Sequence, residues 1–356
     1  MPSIEKIDAN FKIETTIEKE GIKFHDIKDA PFVYYGLMHE GGMFRRMPEA
    51  VAESVNNGVK ALHTNTSGGR VRFRTDSPYI AIHAKCGWLS NFMHCARSGL
   101  AGFDLYIGER HVKTFMPPHD AQPSYESIAD FGSSQMREIT INFPTYSNIL
   151  DLFVGLDENA KIEAPTPYEN EKPIVYYGSS ITQGGCASRP GSIYQNIVSR
   201  RFNCDYLNLG FSGSARGEQN IADYIASLPM SLFVYDYDHN APTVEHLRDT
   251  HEKMFLTIRE ENPDLPIIMM SRPVYNLSNG DKERLEVIKT TYENALARGD
   301  KNVYLIDGPT LTALCQDEGT VDRCHPTDLG FASMAKALCD KIEEAGIFAP
   351  KGKKIF

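Results

Sequence analysis

The feature that most constrains the fold of this chain is a change in hydrophobic period near its middle. In the first half, several short segments alternate apolar with polar residues, and glycine, proline, aspartate and serine interrupt them. An alternation with period two is typical of β-strands that bury one face of a sheet. The alternating apolar residues are Val71, Phe73, Ile80, Ile82, Ile139, Ile141, Phe143, Leu150, Leu152, Val154 and Leu156. The first half is therefore predicted to form antiparallel sheets packed into an all-β sandwich.

In the second half, short apolar runs alternate with longer segments of helical period. The polar segment 157–172, which contains two prolines, separates the halves and is interpreted as a linker. Alternating strands and helices indicate a parallel sheet with helices on both faces, and ligands bind such sheets beyond the carboxyl ends of the strands. We therefore predict a β-sandwich domain over residues 1–160 and an α/β domain over residues 173–350. The predicted strands of the α/β domain are 174–177, 205–210, 231–237, 266–271 and 302–307, and its clearest helices are 243–262 and 281–299.

The charge and composition exclude several classes of function. The chain of 356 residues has a formal net charge of −10, whereas a broad nucleic-acid surface needs an excess of lysine and arginine. It contains no run of the roughly 20 apolar residues that would cross a bilayer, and its first residues lack the apolar core of a signal peptide. We therefore expect no nucleic-acid or membrane partner. The sequence leaves the oligomeric state open, a homo-oligomer included.

The cysteines indicate the cellular compartment. There are seven, an odd number, and none of them form a C-x-x-C pair. This pattern favours free structural thiols in a reducing environment, and the alternatives are a disulfide or a zinc site. We therefore expect a cytoplasmic protein.

Small polar residues follow the first predicted strand of the α/β domain, in the sequence GSSIT from Gly178 to Thr182. A serine at a strand-to-helix turn can present its hydroxyl as a nucleophile and its N–H to an oxyanion. The sequence lacks the second glycine of a G-x-S-x-G turn. On its own it is as typical of a structural turn as of a catalytic one, so Ser180 is only a candidate at this point.

The next two predicted strands also end in residues suited to an oxyanion. Gly213 lies in a glycine-rich sequence, where the backbone can approach a ligand closely and offer its N–H. Asn240 follows the third strand, where its side-chain amide can donate. The alternative for Gly213 is a plain turn. The alternative around Asn240 is a metal site made of Asp236, Asp238 and His239.

The sequence VDRCHPTDLG near the end of the chain places an aspartate and a histidine three positions apart. At this spacing the carboxylate of Asp322 can accept from Nδ1–H of His325 and hold the imidazole in one tautomer. Pro326 then suits the first turn of a final helix. A lone D-x-x-H is common, but with Ser180 in the same domain it completes a candidate catalytic triad.

These four pieces, in this order, resemble the signature blocks of the SGNH (GDSL-type) hydrolases across the whole second half of the chain. The resemblance implies a flavodoxin-like three-layer α/β/α domain and a serine esterase that needs no cofactor and no metal. It implies that Ser180 is the nucleophile and that His325 and Asp322 are its catalytic partners. It also implies that the N–H groups of Ser180 and Gly213 and the side chain of Asn240 form the oxyanion hole.

The first half resembles a domain that precedes the catalytic domain in one SGNH subgroup. Residues Gly102 to Tyr106 read GFDLY, which matches its G-x-D-L-Y signature, and the resemblance implies a jelly-roll-like sandwich. Two departures from the family pattern stand out. Ser179 replaces an aspartate that often follows the first glycine, so we expect changed local hydrogen bonding. The third block reads DHNA around Asn240, where the family usually has G-x-N-D.

The resemblance leads to a functional prediction. We expect hydrolysis of short acyl esters, O-acetyl groups on oligosaccharides in particular, through an acyl-enzyme on Ser180. The alternatives are an acyltransferase or thioesterase that uses acyl-CoA or another small acyl ester, and a carbohydrate-binding protein with an idle triad. Trp88 is predicted to be a core residue of the sandwich, with stacking on a sugar ring as the alternative. Arg45, Arg46 and Arg74 are predicted to be solvated, with contact to the site as the alternative.

Overall fold

The computed structural model describes residues 13–352. Residues 1–12, at which the predicted first domain starts and for which a signal peptide was considered, and residues 353–356 lie outside the described residues. The described strands, numbered in chain order, are β1 (Ile22–Asp26), β2 (Val33–Tyr35), β3 (Met38–Glu40), β4 (Met43–Arg45), β5 (Arg70–Thr75), β6 (Tyr79–Cys86), β7 (Phe103–Ile107), β8 (Arg110–Phe115), β9 (Ser124–Asp130), β10 (Arg137–Asn142), β11 (Ile149–Asp157), β12 (Ile162–Glu163), β13 (Asn170–Gly178), β14 (Cys204–Gly210), β15 (Leu232–Asp236), β16 (Ile267–Met270) and β17 (Val303–Ile306).

Most helices lie in the second half of the chain, after β13. None of the helices within residues 13–352 combines the length and apolar character needed to cross a membrane. The described α-helices are α1 (Glu49–Val55), α2 (Asn57–Leu62), α3 (Arg97–Leu100), α4 (Ser180–Gln183), α5 (Tyr194–Phe202), α6 (Gln219–Ala226), α7 (Val244–Glu261), α8 (Asn279–Ala297), α9 (Gly308–Leu311) and α10 (Asp328–Glu344), with 3₁₀ turns at Pro190–Ser192 and Gln316–Gly319.

A short antiparallel pair, β3 and β4, and two larger antiparallel sheets form the N-terminal region, which we call the β region. One has the strand order β1-β11-β6-β9, and the other has the order β12-β5-β10-β7-β8, with β2 also paired to β5. Apolar side chains of both sheets, such as Phe73, Ile82, Ile141 and Val154, are fully buried in one core. The prediction of an antiparallel β domain in the first half is therefore confirmed.

The remaining sheet is parallel and has the order β14-β13-β15-β16-β17, which is the flavodoxin-like order of a doubly wound fold. Alternate residues of β13 enter different cores, since Val175 and Tyr177 pack on one face of the sheet and Ile174 and Tyr176 on the other. Helices cover both faces, and the predicted three-layer α/β fold of the second half, which we call the α/β region, is confirmed.

The strand order places three predicted site segments side by side. Gly178 at the end of β13 pairs with Gly210 at the end of β14 and with Asp236 at the end of β15. The segments that carry Ser180, Gly213 and Asn240 therefore leave the same edge of the sheet, as carboxyl ends of adjacent parallel strands must.

Strand β5 departs from the predicted burial of one face only. Its apolar residues face the sandwich core, but Arg70 and Arg72 on the opposite face are also buried, with 1% and 7% exposure. Arg70 forms an ion pair with Asp205 and lies 4.0 Å over the ring of Tyr206, both in the α/β region. The part of this face that carries Arg70 is thus a contact between the two regions and not a solvent face.

Strand β11 departs from strict alternation because it contains a β-bulge. The pairing register with β6 shifts between Ile149 and Asp151. Ile149 is fully buried as a result, whereas Leu150, which the alternation places in the core, is only partly buried. A bulge adds one residue to a strand and moves every earlier side chain to the other face.

The G-x-D-L-Y sequence joins the two regions. Asp104 is fully buried, and its carboxylate accepts hydrogen bonds from Asn142 Nδ2 (2.7 Å), Arg189 Nη1 (3.0 Å) and the Gly191 N–H (2.7 Å). The Tyr106 hydroxyl accepts a further hydrogen bond from Arg189. Because residues 189–191 follow the GSSIT turn in the chain, the motif fixes the β region against the segment next to the candidate site.

The prediction that Arg45 and Arg46 are solvated is wrong, since they are only 4% and 1% exposed. Arg46 donates to the carbonyl oxygens of Asn208 (3.1 Å) and Gly210 (2.5 Å) in β14, and to a third carbonyl at the end of α2 (2.7 Å). A buried guanidinium needs such acceptors. Arg74, by contrast, has a side chain that is 39% exposed.

Candidate active site

The turn between β13 and α4 packs closely against the end of the neighbouring strand β15. A Cβ added at Gly178 would lie 1.7 Å from Oδ1 of Asp236, so only glycine fits there. The Ser179 hydroxyl caps α4 by accepting from the Ile181 N–H at 3.2 Å. The Ser180 carbonyl accepts from the Tyr146 hydroxyl at 3.1 Å. These contacts fix the backbone on both sides of the Ser180 side chain.

Asp236, at the end of β15, is hydrogen-bonded to this turn. Its carboxyl accepts from the Thr182 hydroxyl at 2.5 Å and from the Ser179 backbone N–H. Burial raises the pKa of Asp236 to about 8. From the sequence, Asp236 was predicted only as a possible metal ligand, although its place at the end of a buried strand is a signal for a supporting role at the turn. The departure at Ser179 is thus accompanied by a hydroxyl cap and a carboxyl from the neighbouring strand.

Ser180, His325 and Asp322 form a continuous chain of hydrogen bonds. Ser180 Oγ lies 2.9 Å from His325 Nε2, and His325 Nδ1 lies 2.8 Å from Asp322 Oδ2. Asp322 Oδ1 also accepts from the backbone N–H groups of Cys324 (3.1 Å) and His325 (2.8 Å), which fixes the carboxylate relative to the ring. The structure therefore brings together the three predicted triad residues in the geometry of a nucleophile, a base and an orienting carboxylate.

The groups around the three hydrogen-bonded residues favour the protonated form of His325. Hydrogen bonding with the Cys324 sulfur raises the pKa of His325, burial lowers it, and the hydrogen bond with Asp322 raises it again, to about 9. Burial also raises the pKa of Asp322, but hydrogen bonds from the His325 backbone and ring outweigh this effect and lower it to about 2. His325 must therefore lose a proton before its Nε2 can act as a base.

Gly213 and Asn240 lie at the same sheet edge, and Asn240 is hydrogen-bonded to the segment just before Gly213. Gly213 has a φ of +67°, in the left-handed region that favours glycine, and a Cβ there would meet no atom within 4 Å. Asn240 Nδ2 donates to the Phe211 carbonyl at 3.0 Å, two residues before Gly213. Neither residue is hydrogen-bonded to Ser180 in the described part of the chain.

The β region holds this glycine turn in place. Arg46 binds the carbonyl of Gly210 at the end of β14, just before the turn. Asn56 Nδ2 donates to the carbonyl of Ser214 at 3.0 Å, just after Gly213. The position of the Gly213 N–H thus depends on side chains more than 150 positions earlier in the sequence.

A loop from the β region also reaches the candidate triad. This loop, residues 87–96, follows β6, and we call it the β6 loop. The ring of His94 lies 5.5 Å from the ring of His325, measured between centroids. His94 was not predicted from the sequence as a site residue, and the only local signal for it is a histidine near aromatic residues in WLSNFMH.

The β6 loop exposes large apolar side chains beside the site. Trp88, Phe92 and Met93 are 52%, 38% and 103% exposed, so the prediction that Trp88 belongs to the sandwich core is wrong. The ring of Phe92 packs edge-on against Tyr146 with centroids 5.4 Å apart. Since Tyr146 is hydrogen-bonded to the Ser180 carbonyl, this apolar surface lies next to the nucleophile turn.

The side chains of the alternative metal site have separate partners. Asp236 supports the nucleophile turn, and Asp238 Oδ2 accepts from the backbone N–H of Arg272 at 3.0 Å. The ring of His239 lies 3.7 Å from the sulfur of Cys324. The three side chains are thus directed to three different contacts and not to a common point.

Comparison with known families agrees with the fold and the motifs. Residues 171–343 match the GDSL-like lipase/acylhydrolase family, and residues 22–162 match the GxDLY family, the N-terminus of SGNH hydrolase-type esterases. The two matches define the class of protein as an SGNH hydrolase preceded by a GxDLY domain. The chain belongs to the SGNH (GDSL-like) hydrolases, as the resemblance of its motifs implied.

Several solved structures are similar over most of the chain. A protein of Bacteroides ovatus described as a GDSL-like lipase is 28% identical, with a TM-score of 0.83 over 93% of this chain and 100% of that chain. The salicylyl-acyltransferase SsfX3 from a tetracycline biosynthetic pathway is 20% identical, with a TM-score of 0.75 and coverages of 92% and 99%. The acetyl xylan esterase Est2A from Butyrivibrio proteoclasticus is 14% identical, with a TM-score of 0.60 and coverages of 92% and 100%. Comparison with curated proteins gave no match.

Proposed function

We propose that this protein is a serine esterase that removes short acyl groups, O-acetyl groups above all, from oligosaccharides. The observation that carries the proposal is the hydrogen-bonded chain from Asp322 through His325 to Ser180 Oγ. The roles follow from position: Ser180 is the nucleophile, His325 the general base and Asp322 the group that orients and stabilises the imidazolium.

Catalysis begins with a neutral His325. Its Nε2 takes the Ser180 proton as Oγ attacks the ester carbonyl, and Asp322 keeps Nδ1 protonated. The imidazolium then gives the proton to the departing sugar hydroxyl, which leaves an acetyl group on Ser180. Water, activated by the same nitrogen, attacks this ester and releases acetate. No step needs a cofactor.

In the proposed mechanism, three hydrogen-bond donors stabilise the negative charge on the oxygen of the tetrahedral intermediate. The Ser180 N–H is at the first position of α4, where a helix supplies no internal acceptor for it. The Gly213 N–H and the Asn240 amide are the other two. Each donor aimed at the oxyanion contributes roughly 3 kcal/mol to the stability of the transition state.

The exposed aromatic residues of the β6 loop support a sugar ester as the substrate. Trp88 and Phe92 offer exposed aromatic faces on the β6 loop, and aromatic faces with a polar rim suit the apolar faces of a sugar ring. The acetyl xylan esterase Est2A, a structural neighbour at a TM-score of 0.60, acts on an acetylated polysaccharide according to its name. Both points favour a carbohydrate ester over a lipid.

The experiment is mass spectrometry of a panel of acetylated oligosaccharides incubated with wild-type protein or with Ser180→Ala. We expect acetyl groups to disappear with wild-type protein and to remain with the variant. A fluorophosphonate should label wild type and Ser179→Ala but not Ser180→Ala, which distinguishes the two adjacent serines. Labelling of Ser180 without any deacetylation would retain the serine hydrolase mechanism and reject the carbohydrate substrate.

An acyltransferase is the second candidate, favoured by the likeness to the salicylyl-acyltransferase SsfX3 at a TM-score of 0.75. In that case an alcohol replaces water in the attack on the acyl-enzyme. Adding increasing amounts of an acceptor alcohol to an activated acetyl ester separates the two candidates. A hydrolase continues to form mainly acetate, whereas a transferase shifts its product to the new ester.

A further inference from the structure

Two thiols from different regions face each other beside the candidate triad. The sulfur of Cys95, at the end of the β6 loop, lies 3.0 Å from the sulfur of Cys186, and the residues are 91 positions apart in the chain. Cys186 is buried and Cys95 is partly exposed. All seven cysteines, at 86, 95, 186, 204, 315, 324 and 339, carry free thiols in the structure.

The two cysteines lie where the nucleophile turn, the segment that carries His325 and the β6 loop meet. Cys186 follows the nucleophile turn, in which the N–H of the preceding Gly185 donates to the Ser180 carbonyl at 3.0 Å. The Cys186 N–H donates to the carbonyl of Pro326, directly after His325, at 3.1 Å. Cys95 directly follows the histidine of the β6 loop that faces the triad. A covalent bond between the sulfurs would therefore join the β6 loop to both catalytic segments.

The two thiols also differ in reactivity. The hydrogen bond with Cys186 lowers the pKa of the Cys95 thiol, burial opposes this, and the charge of His325 lowers it further. The same hydrogen bond raises the pKa of Cys186. Burial alone raises the pKa of Cys86 to about 12. Since the thiolate is the reactive form, Cys95 is the thiol that reacts first, Cys186 is placed to react second, and Cys86 is inert.

We propose that Cys95 and Cys186 are a thiol modification site, which low-molecular-weight disulfides oxidise to an internal disulfide that tethers the β6 loop over the active site. The Cys95 thiolate attacks one sulfur of the disulfide, which forms a mixed disulfide and expels one thiolate. The Cys186 thiolate then attacks the Cys95 sulfur and expels the second. Two protein thiols are oxidised, one external disulfide is reduced to two thiols, and the protons of both cysteines end on them.

A metal ion is the competing occupant of this place. His94, Cys95 and Cys186 have ligand atoms within 4.8 Å of one another. The two sulfurs are directed at each other, as their hydrogen bond requires, whereas ligands of one ion must point to a common third position. His94 is exposed, while structural zinc sites are closed by four ligands. The geometry therefore favours direct sulfur–sulfur chemistry.

The test uses wild-type protein, reduced and then freed of metal with a chelator. It is incubated with oxidised glutathione, its remaining thiols are alkylated, and it is digested without reduction for mass spectrometry. We expect one cross-linked peptide pair that joins Cys95 to Cys186, a mass lower by two hydrogens, and reversal by dithiothreitol. The cross-link closes a long loop, so the melting midpoint should rise by roughly 5–10 °C.

Variants identify the order of the steps. Cys186→Ser should stop at a stable glutathione adduct on Cys95, and Cys95→Ser should give neither adduct nor cross-link. Cys86→Ser is the matched control, a buried cysteine of the same region, and should cross-link like wild type. Hydrogen exchange in residues 87–96 should slow on oxidation of wild type and of this control only.

Three results would overturn the proposal. The first is a wild-type protein that keeps both thiols, or carries only a glutathione adduct, after prolonged incubation. The second is a cross-link from Cys95 to Cys324 in place of Cys186. The third is one bound zinc ion per chain that is lost in Cys95→Ser and protects both thiols. None of these readouts involves a substrate, so they stand apart from the proposed esterase activity.

Discussion

The two halves of the candidate site are held in place by different means. The acid–base half, Asp322 and His325, is fixed by hydrogen bonds between residues two or three positions apart. The oxyanion half, the Gly213 turn, is fixed by Arg46 and Asn56 from the β region. One half is thus a local structure of the α/β region, and the other depends on the packing of two regions.

This difference predicts which part of the candidate site a given substitution will disturb. A change in the β region should disturb the Gly213 turn and leave the D-x-x-H loop intact. A change within that loop should disturb proton transfer and leave the Gly213 turn intact. Side chains of the β region thus support the turn that carries Gly213, which we propose as an oxyanion donor.

The largest effect should come from the local half. Asp322→Asn leaves the loop geometry in place but holds His325 in the wrong tautomer, so kcat for an activated acetyl ester should fall on the order of 10⁴-fold. The exposed Glu318→Gln, in the 3₁₀ turn just before this loop, is the control and should be within twofold of wild type. A loss below tenfold for Asp322→Asn would remove it from the triad.

The next effect concerns the oxyanion half. Asn240→Ala removes a donor that acts in the transition state, so kcat should fall by about 10²–10³-fold with little change in KM. Steady-state kinetics with the same ester measure this. A loss of less than threefold would contradict the assignment of Asn240 to the oxyanion hole.

A smaller rate effect should come with a loss of stability in the β region. Arg46→Met leaves several buried carbonyl groups without a donor, so the free energy of unfolding should fall by about 3 kcal/mol, and kcat should fall about tenfold because the end of β14 moves. Arg74→Met is the matched control: its surface ion pair with Glu163 contributes under about 1 kcal/mol. Equal effects of the two variants in urea unfolding would mean that burial of Arg46 is unimportant.

The smallest change should be a shift in the pH profile. His325 must be neutral to act as a base, so kcat/KM should rise with pH through its pKa of about 9. Cys324→Ala removes the first cause of the raised pKa, so the inflection should move down and activity at neutral pH should rise severalfold. An unchanged inflection would show that the Cys324 sulfur does not act on His325.

The proton on His325 lowers activity, but it raises the stability of the folded protein. The pKa of His325 is higher in the folded protein than its ordinary value of 6.5, so the folded state binds this proton more tightly. The resulting stabilisation is complete below about pH 6.5 and disappears as the pH rises through about 9. Wild type should therefore lose some stability over the interval in which it gains activity, and Cys324→Ala should lose less.

Much of the fold was predictable because its signals are local. The period-two and strand–helix patterns predicted the β region and the α/β region, and the turn sequences at the end of β13 and before α10 supplied the candidates Ser180, Asp322 and His325. Errors occurred where a second surface was involved. Trp88 is exposed on a loop and Arg46 is buried under β14, and neither fact can be read from neighbouring residues. Leu150 was misplaced because a bulge leaves no hydrophobic signature.

The sequence by itself determined the class of fold and the order of its regions, and it supplied Ser180, Asp322 and His325 as candidates for the acid–base chain. These follow from periodicity, from the geometry of strand ends and from a three-residue spacing, all of which act over a few positions. Only the tertiary structure decided the burial of Arg46 and Arg70, the support of the turn by Asp236, and the approach of His94 and Cys95 to the triad. Such contacts join residues far apart in the chain, and their free energy comes from surfaces that exist only once both regions have packed.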